Sequence, residues 1–159
     1  MLFAPDPTLL VIEDTTEHAI LVRVAARRAF PGLDVRVAGD GREGIAYLAG
    51  SAPFQDRSFH AFPDLVILDL LMPDIDGFGV LEWIRDQKNL RPVPVVILTV
   101  STEVEHERRV LELGAKAVYL KPGDLDELGD LVKEIVRTWM PARLADPLYP
   151  DGHGTSLNC

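Results

Sequence analysis

Five β-α repeats around one parallel sheet are the fold class this sequence predicts, and three observations predict it. Short β-branched or leucine-rich runs alternate five times with longer segments of helical periodicity. One of those runs, Leu65-Val66-Ile67-Leu68, is apolar without a break, as a strand covered on both faces requires. The chain has 159 residues, 47% apolar and 26% charged, which suits one α/β domain with a core on each side of its sheet.

The expected strands are Leu9–Ile12, Val35–Ala38, Leu65–Leu68, Val95–Leu98 and Ala117–Leu120. The first helix is expected over Thr15–Phe30, with Ile20, Leu21, Val24 and Ala25 turned inward and Pro31-Gly32 stopping it. The second, Gly41–Ala49, faces in through Ile45 and Leu48, and the third, Phe78–Lys88, through Val80, Leu81 and Ile84. The fourth, Thr102–Leu113, ends at Gly114, a residue suited to a left-handed stop. The fifth, Leu125–Met140, repeats Leu128, Leu131, Val132, Ile135 and Trp139 before Pro141 closes it. Outside this pattern lie Gly50–Pro63, a long connection rich in Phe and Pro, and a tail after Met140 with three prolines and two glycines.

Several classes of function are excluded early. A net charge of −9 argues against a general nucleic-acid binder, since phosphate contacts need clustered Lys and Arg. No apolar run approaches the roughly 20 residues that span a bilayer, and the first residues lack the basic start of a secretory signal. One cysteine, Cys159, builds no disulfide framework. The expectation is an acidic cytoplasmic domain.

Ligands of open parallel sheets collect beyond the carboxyl ends of the strands. Here the first strand ends in Glu13-Asp14, the third in Asp69, the fourth in Thr99 and the fifth in Lys121-Pro122. Each residue has a local reading. Asp14 could cap the first helix, Asp69 could open a turn, Thr99 could be one more β-branched strand residue, and Lys121 could be a solvated lysine. What distinguishes them is their coincidence on one rim. Carboxylates directly after buried strands are costly unless compensated, and a divalent cation together with Lys121 would compensate them. Such an oxygen-rich site suits Mg²⁺. An aspartate beside the metal can act as nucleophile toward phosphorus, with Lys121 and the Thr99 hydroxyl stabilising the transferred group.

With Ile12-Glu13-Asp14, the run Asp69-Leu70-Leu71-Met72-Pro73-Asp74-Ile75-Asp76-Gly77, Pro94-Val95-Val96-Ile97-Leu98-Thr99 and Lys121-Pro122, the sequence resembles the receiver domain of two-component response regulators. Thirty residues separate Asp69 from Thr99 and 22 separate Thr99 from Lys121, as in that family. The resemblance implies a flavodoxin-like (βα)5 three-layer sandwich with strand order 2-1-3-4-5. It implies a receiver over residues 1–140, followed by an extension, 141–159, too short for an output domain. It implies Asp69 as phosphoacceptor, and Asp14, Asp69 and the Leu71 carbonyl as Mg²⁺ ligands. Glu13 would hold a metal-bound water, Lys121 would contact the phosphoryl group, and Thr99 would move toward it. It further implies a cis Lys121–Pro122 peptide.

Two residues depart from the family pattern. Val118 stands three places before Lys121, where members usually carry an aromatic switch residue, and Tyr119 falls on the opposite face. Val100 follows Thr99, where Ala or Gly is common, and would narrow access to Asp69. The Gly50–Pro63 insertion and the Gln87–Pro94 connection resemble the small regulators paired with bacterial phytochromes. The implied partner is a sensor histidine kinase, with a bacteriophytochrome as one such kinase, and output runs through protein contacts without nucleic acid or membrane. A homodimer through the fourth and fifth helices and the tail would give Leu144, Leu148 and Tyr149 a partner; Trp139 either joins it or finishes the core. The expected activity is a switch, not enzymatic turnover. The rivals are a phosphorylation-independent pseudo-receiver, and a Mg²⁺-dependent phosphohydrolase, which would want an Asp where Leu71 stands. His18, His60, His106 and His153 lack ligand spacing and read as surface or structural residues, although His18, one helical turn after Asp14, could approach the rim.

Overall fold

The computed structural model describes residues 5–140. The elements are β1 (Thr8–Ile12), α1 (Thr16–Ala29), β2 (Asp34–Ala38), α2 (Gly41–Ala49), β3 (Leu65–Leu68), α3 (Gly77–Asp86), β4 (Val95–Thr99), α4 (Val104–Glu112), β5 (Ala117–Leu120) and α5 (Leu125–Trp139). The sheet is parallel throughout in the order β2-β1-β3-β4-β5, the flavodoxin-like arrangement expected. Alternation along the strands divides the core in two. Leu9 and Val11 of β1, Leu65 and Ile67 of β3, and Val96 and Leu98 of β4 meet α1 and α5. Leu10, Ile12, Val66, Leu68, Val95 and Ile97 meet α2, α3 and α4 on the other side. The edge strands β2 and β5 are only partly buried.

Helix ends follow their sequence signals. Asp40 caps α2 by accepting from Glu43 N–H at 2.7 Å, and the Glu43 side chain in turn accepts from Gly39 N–H, one residue before the cap, at 2.8 Å. Asp76 caps α3 through Gly79 N–H, and Asp124 caps α5 through Asp126 and Glu127 N–H. The third helix stops at Asp86, two residues before the expected Lys88, because the chain is already extended at Gln87.

Two expectations are corrected, the inward face of α1 and the Lys121–Pro122 isomer. Helix α1 buries Ala19, Val22 and Ala26, while Ile20 and Val24 lie exposed. This helix is apolar over more than one face, and its close packing against α5, with Ala25 beside Gly129, selects the small-residue stripe. The Lys121–Pro122 peptide is trans, the form an X-Pro amide favours by about 0.5–1 kcal/mol; the cis bond among the described residues is Ala52–Pro53. The 50–63 connection is an ordered aromatic cap. Arg57 lies over the Tyr47 and Phe62 rings and donates to the Leu48 and His60 carbonyls, while the Tyr47 hydroxyl donates to the Ala61 carbonyl. Trp139 packs on the core and its Nε1–H donates to the Tyr119 hydroxyl at 3.0 Å. The tail expectations for 141–159, with Leu144, Leu148, Tyr149, His153 and Cys159, lie outside the described residues.

Two glycines give opposite predictions. A Cβ at Gly77 would stand 2.7 Å from the Asp69 carbonyl oxygen and 2.8 Å from Leu70 Cα, backbone atoms that cannot step aside. Gly77→Ala is therefore expected to lower stability by about 1–3 kcal/mol. A Cβ at Gly129, inside α5, would meet Ala25 Cβ at a comfortable 4.0 Å. Gly129→Ala is expected to raise stability by about 0.5–1 kcal/mol. Urea-unfolding midpoints of the two variants check both signs.

Candidate functional site

Sheet hydrogen bonding continues past the strand ends and places the rim residues. Glu13 N–H donates to the Ala38 carbonyl, Asp69 N–H to Ile12, and Lys121 N–H to Thr99, at 3.0, 2.9 and 2.8 Å. The backbone after β1, β3 and β5 is thereby fixed before any side chain is considered. Ligand oxygens of Glu13, Asp14 and Asp69 come within 4.8 Å of one another. Glu13 and Asp69 are buried, and so is the side chain of Lys121, at 8% exposure. That excludes the solvated-lysine reading.

Lys121 Nζ donates to Glu13 Oε2 at 2.5 Å and stands 3.6 Å from Asp69 Oδ2. Asp69 Oδ1 and Asp14 Oδ1 are buried with no hydrogen-bond partner. Thr15, not Asp14, is the N-cap of α1, so Asp14 is not held there as a cap. Burial first, and the neighbouring Asp69 charge, push the Glu13 carboxyl from 4.5 up to about 7, against the pull of Lys121. Three carboxylates facing one ammonium, with two orphaned buried oxygens, form a hard-oxygen donor set that a divalent cation of the Mg²⁺ kind fits.

The loop after β3 is held in place by its own contacts. Gly77 N–H donates to the Leu70 carbonyl, and Asp74 takes a left-handed conformation, φ 62°. Leu71, half exposed, lies two residues past Asp69 in this loop. A Cβ at Gly41 would collide with the Ile75 carbonyl oxygen at 2.2 Å, so the start of α2 also approaches the loop as only glycine permits.

Thr99, the last residue of β4, is buried, and its hydroxyl accepts from Ser101 N–H at 3.2 Å. Ser101 Oγ lies 2.8 Å from His106 Nδ1 on α4, and the His106 ring packs edge-on against Phe78. Thr99, Val118, Ser101 and His106 border a cavity of about 210 Å³. Val118 joins the α2–α4 core and Tyr119 the α1–α5 core, as the alternation predicts. Val100 is exposed and borders a second cavity together with His18 and Lys121.

His18, read first as a surface or structural residue with an approach to the rim as the alternative, does reach it: its Nδ1 lies 3.1 Å from Lys121 Nζ and 3.9 Å from Glu13 Oε1. The available signal was its spacing, four residues after Asp14 on the first turn of α1, which puts it on the same side as the rim.

A five-stranded parallel sheet with this acidic rim and its lysine defines a class. The chain belongs to the response regulator receiver domain family, which it matches over residues 9–133. Members of that family are signalling modules. The chain is 33% identical over 142 residues to the probable methanogenesis regulatory protein FilR2 of Methanothrix harundinacea, covering 88% of each chain. It spans about half the length of curated transcriptional regulators that it also matches. Among solved structures it is similar to the phosphorylated cyanobacterial phytochrome response regulator RcpA, with a TM-score of 0.79 and 27% identity over 87% of this chain and 96% of that one. It is also similar to the Mn²⁺-bound form of the response regulator Rcp1, with a TM-score of 0.74 and 26% identity over 85% and 94% of the two chains. No helix among the described residues is long and apolar enough to cross a membrane.

Because the Glu13 carboxyl is raised in the folded protein, its contribution to stability is full below its ordinary value and lost as pH rises through about 7. Glutamine has no such loss. In metal-free protein the melting temperature of Glu13→Gln, relative to wild type, is expected to rise between about pH 4.5 and 7 and to level off above that. A pH-independent difference would contradict the raised carboxyl.

Proposed function

We propose that this chain is a response regulator receiver that takes a phosphoryl group from a sensor histidine kinase onto Asp69. The observation that carries this reading is the placement of the Lys121 ammonium between Glu13 and Asp69, with Asp69 Oδ1 left unpartnered in a buried site. An Asp69 oxygen attacks the phosphorus of a phosphohistidine, forming an O–P bond as the N–P bond breaks, and the kinase imidazole leaves with the electron pair. Lys121 offers its ammonium to the transferred oxygens, and the Thr99 hydroxyl offers them a hydrogen bond. Asp14, Asp69 and the Leu71 carbonyl would hold Mg²⁺, with Glu13 acting through a water. When bound, the ion would neutralise charge on the transferring group.

The receiver occupies residues 1–140 in this reading, with 141–159 as an extension, and the protein works in the cytoplasm. Similarity to RcpA over nearly all of that chain supports a phytochrome-type kinase as the donor. Output passes through protein contacts. Val104 and Leu111 of α4 and Leu120 of β5 are exposed apolar side chains; they suit a partner, or a second copy through α4, α5 and the tail.

Incubation with Mg²⁺ and acetyl phosphate or phosphoramidate, followed by intact mass, tests the reading. The expected result is a labile gain of about one phosphoryl group, absent in Asp69→Ala. No gain with any donor would favour the pseudo-receiver, and a gain that persists in Asp69→Ala would place the acceptor elsewhere.

A further inference from the structure

An ammonium can only donate, so the 3.1 Å contact between Lys121 Nζ and His18 Nδ1 fixes the tautomer: Nδ1 accepts, and the imidazole carries its proton on Nε2. Lys121 therefore has two hydrogen-bond acceptors on two different supports. Glu13 lies at the end of β1 and His18 on the first turn of α1. The next acceptor, Asp69 Oδ2, is 3.6 Å away, too long for a hydrogen bond. Those two bonds leave the third N–H of the ammonium without an acceptor among the described residues.

Glu13 is a shared partner, because its other oxygen accepts from Thr15 N–H. His18 makes no bond to Asp14 or Asp69. The cavity of about 220 Å³ beside the pair is otherwise bordered by apolar or small residues, among them Leu21, Val100, Pro122 and Leu125, so no carboxylate there could replace it. An unanchored lysine would lose the fixed geometry that makes a preorganised cation effective toward developing charge.

We propose that His18 is a positioning residue for Lys121: its Nδ1 holds the ammonium so that the free N–H faces the group transferred to Asp69. This deepens the phosphoacceptor reading and rests on it. His18 touches neither the phosphorus nor the acceptor, and acts only through the lysine.

Two measurements on the full chain test it, with His18→Leu, which removes the acceptor, and His18→Asn, whose amide oxygen can replace it. The first follows mass gain from phosphoramidate at saturating Mg²⁺. His18→Leu is expected to react about tenfold more slowly and His18→Asn near the wild-type rate, with urea midpoints and Mg²⁺ affinity unchanged in both. The second, in metal-free protein, records the Lys121 ammonium by ¹⁵N NMR: a slowly exchanging signal in wild type and His18→Asn, lost in His18→Leu. Wild-type rate and an intact ammonium signal in His18→Leu would overturn the proposal. So would slowing that comes with weakened Mg²⁺ binding, which would assign His18 to the metal site. If wild type gains no phosphoryl group, the phosphoacceptor reading fails, and the ammonium signal alone decides whether His18 positions Lys121.

Discussion

Three carboxylates confined to a buried rim with one ammonium are the constraint around which this molecule is arranged. Glu13, Asp14 and Asp69 bring their oxygens within 4.8 Å of one another, and Lys121 is the cation among them. Isolated burial of such charges is costly, and a single ion pair repays it poorly. The raised Glu13 carboxyl is one expression of that cost, and the orphaned oxygens of Asp14 and Asp69 are another. No packing advantage requires acids here, since strands β1 and β3 are apolar up to the residue before them. The arrangement makes sense as a site prepared for positive charge.

The sheet enforces the crowding. Parallel pairing aligns the carboxyl ends of β1, β3, β4 and β5, and the ladder bonds of Glu13, Asp69 and Lys121 extend that alignment one residue into the loops. The α3 cap at Asp76, the close approach at Gly77 and the glycine at the start of α2 then fix the loop that follows Asp69. On the far side, Thr99 connects through Ser101 to His106 on α4. A displacement of the Thr99 hydroxyl would break the bond from Ser101 N–H, so the site and α4 are in contact by a route of hydrogen bonds.

Much of this is legible in the sequence because the informative residues are local to strand ends. The unbroken run Leu65–Leu68, too short for a helix and one of five such alternating runs, reads as a buried strand, and the acid after it then lies at the sheet's rim. The same logic places Glu13, Asp14, Thr99 and Lys121. What escapes is information that depends on packing partners. Periodicity on α1 cannot choose between Val24 and Val22 as the buried valine, because the choice is made by α5 approaching a small-residue stripe. Composition marks 50–63 as a long connection, but its order comes from Arg57 lying over the Phe62 ring of the connection itself and the Tyr47 ring of α2. Spacing after Asp14 lets His18 approach the rim, but its partner is set only when β5 brings Lys121 to it across 103 positions of sequence. The trans Lys121–Pro122 bond shows a family habit that this chain does not follow.

If the rim is built for positive charge, a divalent cation must relieve it. Thermal unfolding of the intact protein against increasing MgCl₂, with NaCl matched for ionic strength and Asp14→Asn alongside, measures this directly. In wild type the midpoint is expected to rise and saturate with Mg²⁺, as binding to the native state requires. In the variant the rise is expected to be much smaller. A midpoint that follows ionic strength alone would contradict a rim built for positive charge.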